Sequence, residues 1–181
     1  YRAGFFPMDE AGATGPVGWY EADPRAVILP SEARVPVTVR RMLRRRGYEL
    51  RVDTAFIRVV AACAGDRDGV WLTPRLARGY AALHRAGIAH SVEAWDGDHL
   101  VGGLFGVAMG RFMSAESMFH RAPDGGNAAI AGLLGIAVAS GALLVDVQMA
   151  SAHVARFGAR EIPAHEFSAR LADALGESPV A

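Results

Sequence analysis

Residues 128–140 are apolar on nearly every helical face, and no other feature of the sequence limits the fold as strongly. A helix without a polar face is stable in water only if other elements cover it on both sides. The sequence therefore predicts that this helix is buried. Its neighbours along the chain are strand patterns, with a hairpin over residues 91–109 before it and an apolar strand over residues 143–148 after it.

Shorter segments carry helix signals of their own. Pro74 directly after Thr73 is typical of a helix start, and residues 56–63 repeat apolar side chains at helical spacing. Helices between strands, followed by an antiparallel hairpin, predict an α/β (α+β) fold with a mixed sheet and flanking helices. The first 36 residues are rich in Gly and Pro, which predicts irregular segments and short extended pieces in a small N-terminal subdomain.

The composition excludes several kinds of chemistry. The chain of 181 residues has 19 basic and 19 acidic side chains, and every basic one is arginine. Without lysine it has no Schiff-base lysine, Walker-type lysine or lysine general base. Cys63 is the single cysteine and cannot form an internal disulfide, and no apolar run reaches the roughly 18 residues that span a bilayer. We therefore expect a soluble, cytoplasmic protein with no membrane partner.

A basic block interrupts this neutral composition. Between Arg34 and Arg51, seven arginines and one acid, Glu49, give a local charge of +6 and leave −6 for the other residues. The block includes a predicted helix that ends at Gly47. Two interpretations remain open, a solvated helix face or a surface that docks a polyanion, because arginine forks suit phosphate oxygens. The candidates for phosphate contact on this helix are Arg40, Arg41, Arg44 and Arg45.

Two polar residues interrupt the apolar strand at residues 143–148. Asp146 and Gln148 are two positions apart, which predicts that they point to the same face. Burying an unpartnered carboxylate is costly, so this face is functional, paired or wet, unless Asp146 caps the following helix. Glu116 lies in another strand-like run, where an exposed glutamate with no special role is the alternative.

The remaining polar residues give no sign of a metal or cofactor. His90, His120 and His153 have no cysteine pair or carboxylate motif at ligand spacing. Gly125-Gly126 before a helix is a weak phosphate-loop pattern. These residues therefore indicate neither a metal site nor a strong phosphate loop.

Several longer strings are similar to one family. The chain resembles the leucyl/phenylalanyl-tRNA protein transferases along almost its whole length. The strings that carry the resemblance are YRAGFFPM at 1–8, DPRAVILP at 23–30, VWLTP at 70–74, AHSVEAWDGDHLVGGLFGVAMG at 89–110, SAESMFHR at 114–121, LLVDVQ at 143–148 and HVARFGAREI at 153–162.

The resemblance implies an architecture and an activity. It implies a small N-terminal subdomain over residues 1–50, which holds the arginine segment, and a GNAT-like catalytic domain over residues 51–181. In such a family, Leu, Phe or Met passes from aminoacyl-tRNA to the α-amino group of a protein that begins with Arg or Lys, which marks that protein for degradation. The implied partners are aminoacyl-tRNA and the acceptor protein, with no metal or coenzyme A.

The resemblance also assigns residues by position. Asp146 and Gln148 match the catalytic D-x-Q pair, in which we interpret Gln148 as orienting the amine and Asp146 as setting charge and geometry. Glu116 matches the acidic residue of a G-E-S-M motif. Trp71, and with it Trp19, match aromatic residues that flank the terminal adenosine. The implied pocket for the aminoacyl side chain is formed by Leu104, Met113, Ile130 and Leu133.

Some positions depart from the family pattern. A D-A-S-K loop stands here as Asp124-Gly125-Gly126-Asn127, without its serine and lysine. One alternative is therefore a relative that uses another aminoacyl-tRNA or a small-molecule amine acceptor. Two further alternatives are an acyl-CoA N-acetyltransferase, although Asp124 stands where its coenzyme A motif requires glycine, and a non-catalytic RNA-binding module.

Overall fold

The strand patterns at 91–109 and 143–148 form the middle of one sheet in the computed structural model, which describes residues 1–10, 14–65 and 71–176. The strands are β1 Phe6–Met8, β2 Gly18–Tyr20, β3 Arg25–Ile28, β4 Glu49–Val52, β5 Ala89–Asp96, β6 His99–Met109, β7 Phe112–Ser114, β8 Ser117–His120, β9 Leu144–Gln148 and β10 Arg160–Ile162. The helices are α1 Val37–Arg46, α2 Phe56–Gly65, α3 Pro74–Arg85, α4 Gly125–Ala139, α5 Ala152–Ala155 and α6 Ala164–Leu175.

The main sheet is mixed, as predicted. Its strand order is β10-β3-β9-β7-β6-β5-β4, with β8 also paired to β6. Among the described strands, β7 and β9 are parallel and the other pairs of this sheet are antiparallel. The predicted hairpin is β5–β6, and the mixed sheet with flanking helices confirms the predicted fold class.

A fork in this sheet prepares the functional site. β7 pairs with β9 up to Ser114 and Asp146, and the chain then leaves β9 and pairs with β6 as β8. Ala115 and Glu116 lie at the fork, where their N–H groups donate to the carbonyl oxygens of Asp146 (2.8 Å) and Phe105 (2.9 Å). Because β8 and β9 separate here, a cleft opens between them.

Helix α4 covers one face of the sheet. Ala129, Ile130 and Leu133 pack with Val92 and Leu104 of the strands below. The predicted burial is confirmed for most of the helix but is wrong for its last turns, where Gly135, Val138 and Ala139 are exposed. The packed cluster that α4 forms with Val39, Met42 and Leu43 contains none of these three residues.

The other elements cover the remaining apolar surface. The predicted start of α3 is confirmed, because the helix begins at Pro74, and the Thr73 side chain caps it by accepting the N–H of Leu76 at 3.3 Å. Helices α2 and α3 pack in one cluster with Trp95 and Phe105, and α6 packs on β3, β7 and β9.

The N-terminal part joins the main sheet early. β1 and β2 form a separate two-stranded sheet, whereas β3 lies between β10 and β9 in the main sheet. α1 packs through Val39 in the same cluster as α4. The boundary between the two predicted domains at residue 50 stays a prediction. The pairing of β3 with β9 and β10 shows that residues before this boundary belong to the main sheet.

The glycines at the start of α4 allow close packing on β6. A Cβ on Gly125 would lie 2.3 Å from the Val101 carbonyl oxygen, and one on Gly102 would lie 2.3 Å from the Gly125 carbonyl carbon. The structure therefore explains Gly125 by packing between backbones rather than by a phosphate loop.

Two substitutions in α4 test this packing. We expect Gly125→Ala to lower the free energy of unfolding by about 1–3 kcal/mol, because backbone atoms have to move. Gly135→Ala is the matched control in the same helix, where a Cβ meets nothing within 4 Å. It should raise stability by about 0.5–1 kcal/mol through helix propensity. Urea unfolding measures both, and equal effects of the two substitutions would contradict the packing argument.

Candidate active site

The cleft at the fork between β8 and β9 has a volume of about 430 Å³. Its apolar wall contains Ile28, Leu104, Ile130, Leu133 and Leu134, and its polar lining includes Glu116, Ser117, Gln148, Ser151 and His153. The structure thus brings three of the four predicted pocket residues, those at 104, 130 and 133, into one cavity with Glu116 and Gln148.

Two further cavities adjoin this cleft. The smaller one, of about 150 Å³, is lined by Phe6 and Trp71 together with Glu116 and Gln148. The other, of about 230 Å³, contains Met113 and shares Leu104 and Leu133 with the cleft. Glu116 and Gln148 therefore lie at the junction between an apolar cleft and an aromatic recess.

Glu116 is held by hydroxyl groups. Ser114 Oγ donates to its Oε1 at 2.5 Å and Tyr80 Oη donates to its Oε2 at 2.8 Å. The Tyr80 oxygen is in turn 2.8 Å from the hydroxyl of Tyr1. Burial raises the pKa of the Glu116 carboxyl, against the opposing effect of these hydrogen bonds on the pKa. Glu116 is therefore a half-buried acid that is fixed in place.

Asp146 does not reach the cleft. Its side chain is fully buried and accepts two hydrogen bonds from Arg25, from Nε at 2.9 Å and from Nη2 at 2.7 Å. Its Oδ1 also accepts the backbone N–H of Gln148 at 2.9 Å. The sequence left open whether this carboxylate is functional, paired, wet or a helix cap, and the structure shows that it is paired with Arg25.

Gln148 leaves the strand alternation and turns to the cleft. Its φ of +57° lies in the left-handed region, and the Met149 N–H donates to the Val147 carbonyl oxygen at 2.7 Å around it. A non-glycine residue in this region costs about 1–2 kcal/mol. Asp146 and Gln148 therefore have different surroundings, because the carboxylate is buried against Arg25 and the amide lines the cleft.

The amide of Gln148 is best paired with its nitrogen toward the main chain. In that orientation Nε2 donates to the carbonyl oxygens of Ala115 and Val147 at 3.0 and 3.1 Å. The amide oxygen then takes the position 3.5 Å from Glu116 Oε1. Two acceptors this close can both bind one ammonium group, which donates a separate N–H to each oxygen.

The two predicted aromatic residues differ in position. Trp71 lines the recess, and its carbonyl oxygen accepts the Asp9 N–H at 3.1 Å. Hydrogen bonds from Arg75 and Thr73 lower the pKa of Asp9 to about 2, so this carboxylate ties the N-terminal segment to α3 beside the recess. Trp19 is 55% exposed on β2 and meets Tyr1 edge-on, with ring centroids 5.9 Å apart.

The predicted phosphate-contact arginines form one exposed surface on α1. Two grooves run along it, and Arg41 and Arg45 line both of them, while Arg40 and Arg44 line one. Arg51 belongs to a different environment, because it pairs with Glu49 at 2.7 Å. The positive charge exposed on this surface therefore comes from the arginines of α1 and its flanking residues, without Arg51.

Sequence reasoning missed four residues around the site. Arg25, Tyr80 and Ser114 hold Asp146 and Glu116, and His153 lines the cleft, where burial lowers its pKa. The sequence gives a signal for Arg25, a single charge beside the apolar run AVIL that could partner the buried Asp146. Ser114 has a signal too, because it lies two positions before Glu116, the spacing that puts two strand residues on one face. Tyr80 gives no such signal, because 36 positions separate it from Glu116.

Searches for metal and membrane features give nothing within the described residues. No group of three His, Cys, Asp or Glu side chains there could hold a metal ion. In the same ranges, no helix has both the length and the apolar character needed to cross a membrane.

Comparisons with known proteins place this chain among transferases. Residues 27–172 match the family described as leucyl/phenylalanyl-tRNA protein transferase. Proteins of that name from Anaeromyxobacter sp. (strain K) and Rubrobacter xylanophilus are 45% and 46% identical, over 97% of this chain and over 76% and 91% of their own lengths. The chain belongs to the leucyl/phenylalanyl-tRNA protein transferase family.

A solved structure is also similar. "The structure of L-PGS from Bacillus licheniformis" matches with a TM-score of 0.48 and 14% identity, over 92% of this chain and 57% of that one.

The raised pKa of Glu116 predicts a pH-dependent stability. The folded state binds this proton more tightly than the unfolded state, so the stability present below the unfolded pKa is lost as pH rises through the folded pKa. Glu116→Gln removes this titration. We expect parent and variant to have equal Tm values near pH 4 and the variant to have the higher Tm at pH 8.

The exposed Glu161 offers a matched control, since Glu161→Gln should follow the parent at both pH values. A Tm difference between Glu116→Gln and the parent that does not change with pH would contradict the assignment.

Proposed function

We propose that this chain transfers Leu, Phe or Met from aminoacyl-tRNA to the N-terminal α-amino group of proteins that begin with Arg or Lys. Such a product enters a protein degradation route. The name of the family supports the tRNA donor and the protein acceptor. The observation that carries the proposal is the junction at Glu116 and Gln148, where acceptors for an amine lie at the mouth of an apolar cleft.

The cleft suits the donor side chain. Leu104, Ile130 and Leu133 offer an apolar wall in a cavity of about 430 Å³. Burial of an apolar side chain gains roughly 1.5–3 kcal/mol, whereas a charged one would find no partner at this wall. Met113 lies in the adjoining cavity and belongs to the proposed pocket through its neighbours Leu104 and Leu133.

The aromatic recess suits the end of the tRNA. Trp71 offers a ring on which the terminal adenine can stack, next to Glu116 and Gln148. In this arrangement the ester bond between adenosine and amino acid lies at the junction of recess and cleft. Trp19, on the exposed side of Tyr1, is proposed as an outer contact of the same adenosine.

The proposed chemistry starts from the ester bond that joins the amino acid to the tRNA. The acceptor nitrogen attacks the carbonyl carbon of the ester, the new peptide bond forms, and the bond to the ribose oxygen breaks. The proton lost by the amine passes to the ribose oxygen. We assign Gln148 Oε1 and Glu116 to hold and orient the amine, since positioning alone contributes strongly to such a transfer. Asp146 sets the geometry of Gln148 by accepting its backbone N–H.

The arginines of α1 are proposed to contact the tRNA backbone. Arg40, Arg41, Arg44 and Arg45 are exposed together on a helix that packs on α4, and α4 forms part of the cleft wall. The remaining residues carry −6, which suits a basic acceptor. The proposed reaction needs no cofactor or metal, and its tRNA donor places it in the cytoplasm.

A transfer assay tests the function. The chain is incubated with tRNAs charged with Leu, Phe, Met or, as a control, Asp, and with peptides that begin with Arg, Lys or Ala. We expect mass spectrometry to show one added Leu, Phe or Met on the Arg and Lys peptides. N-terminally acetylated peptides should stay unchanged. Parallel reactions contain a small-molecule amine in place of the peptides or acetyl-CoA in place of the charged tRNAs. Transfer in only one of these reactions would contradict the proposal in favour of the corresponding alternative.

Gln148→Ala tests the role of the junction. Loss of the amide that orients the amine should lower kcat by about 10²-fold or more, with an unchanged Kd for tRNA. Single-turnover rates and tRNA binding by filter retention measure the two quantities. An unchanged kcat in the variant would show that Gln148 has no role in the reaction. If the parent chain binds tRNA but transfers nothing, the result would favour a non-catalytic RNA-binding module.

The salt dependence of tRNA binding tests the arginines. Arg41→Ala combined with Arg45→Ala should weaken binding and reduce the slope of log K against log salt concentration by about 2, since each lost phosphate contact reduces it by about 1. Arg170→Ala, on α6, is the control and should leave the slope unchanged. An unchanged slope in the double variant would assign the block to a solvated helix face.

A further inference from the structure

Arg25 is a buried cation whose only described ionic partner is Asp146. It is 1% exposed at the start of β3, and Nε and Nη2 donate to the two carboxylate oxygens. Its guanidinium carbon lies 4.6 Å from the ring centroid of Phe6 and 4.5 Å from that of Phe167. The guanidinium group is therefore fixed by charge, by two hydrogen bonds and by two aromatic rings.

Asp146 passes this constraint to Gln148. Its Oδ1 accepts both Arg25 Nε and the backbone N–H of Gln148, each at 2.9 Å. That N–H belongs to the left-handed turn that sends the Gln148 side chain into the cleft. Without an oriented acceptor for this N–H, an extended strand end would be the ordinary backbone for residue 148.

The same constraint reaches the other side of the junction. The backbone carbonyl oxygen of Asp146 accepts the N–H of Ala115 at 2.8 Å, one residue before Glu116. With the Gln148 amide nitrogen oriented toward the main chain, the Ala115 carbonyl oxygen in turn accepts Gln148 Nε2 at 3.0 Å. Asp146 is thus bonded to both segments that carry the junction residues, although its side chain lines none of the three cavities.

We propose that Arg25 is a positioning residue for the transfer reaction, acting through the Asp146 carboxylate on the turn that orients Gln148. This inference rests on the proposed function. It assigns the charge of Asp146 to the fixing of backbone geometry and leaves contact with the amine to Gln148 and Glu116. Arg25 therefore affects the rate of transfer through Gln148 and does not touch the substrate.

A double-mutant cycle tests whether Arg25 acts through Gln148. Arg25→Lys keeps the positive charge but cannot form the bidentate pair or stack as a planar group. We expect it to lower kcat by about 10- to 100-fold, with KM for aminoacyl-tRNA changed less than about twofold. In a Gln148→Ala background the same change should lower kcat no further. Single-turnover reactions with enzyme in excess make the slow rates measurable.

A merely structural role gives a different result. In that case Arg25→Lys would reduce the active fraction by the same factor in both backgrounds, in step with the loss of folded protein seen in thermal unfolding. Arg160→Lys is the matched control, because Arg160 lies on β10, which pairs with β3, and is exposed. We expect it to leave kcat unchanged. Equal factors in the two backgrounds would overturn the proposal.

A second measurement does not depend on activity. Hydrogen exchange of a peptide that covers residues 145–150 reports on the N–H groups of the Gln148 turn. We expect Arg25→Lys to speed exchange there at least about tenfold while exchange in β5 stays as in the parent. Unchanged exchange at 145–150 would overturn the positioning role, whereas a change in exchange with no transfer by the parent chain would refute only the proposed function.

Discussion

The buried ion pair of Arg25 and Asp146 is the interaction on which the site depends. Removing two charges from water is expensive, and the cost is offset only when geometry and hydrogen bonding are nearly complete. Here both carboxylate oxygens and two of the three guanidinium nitrogens are used, two aromatic rings enclose the cation, and only Nη1 is buried without a hydrogen-bond partner among the described residues. Because the partners come from β3 and β9, with rings from β1 and α6, the pair joins distant parts of the chain beneath the cleft.

The fork between β8 and β9 opens the cleft next to this buried ion pair. β7 and β9 run parallel only as far as Ser114 and Asp146, and β8 then follows β6. Glu116 leaves the ladder at that fork, and Gln148 leaves it through the turn at the end of β9. A polar junction at a sheet fork thus meets an apolar wall from α4, which can hold an amine beside an apolar side chain.

Local sequence rules predict single elements of this fold but not the contacts between residues that are distant in sequence. Helix positions and caps, such as Thr73 at α3, follow local rules, and so does the hairpin β5–β6. The short strands β1, β2 and β7 have three residues each, and such strands form through their partners rather than by their own pattern. Likewise Tyr80 and Glu116 meet although 36 positions separate them.

The sequence by itself determined the mixed α/β class, most element positions and the family resemblance, and it singled out Asp146, Gln148 and Glu116 as candidate site residues. Periodicity and capping are local, and a polar residue in an apolar strand is visible without a structure. Only the tertiary structure decided that Asp146 faces Arg25 while Gln148 faces the cleft. The physical reason is that this division depends on one left-handed residue and on a buried partner 121 positions away, neither of which a period-two pattern contains.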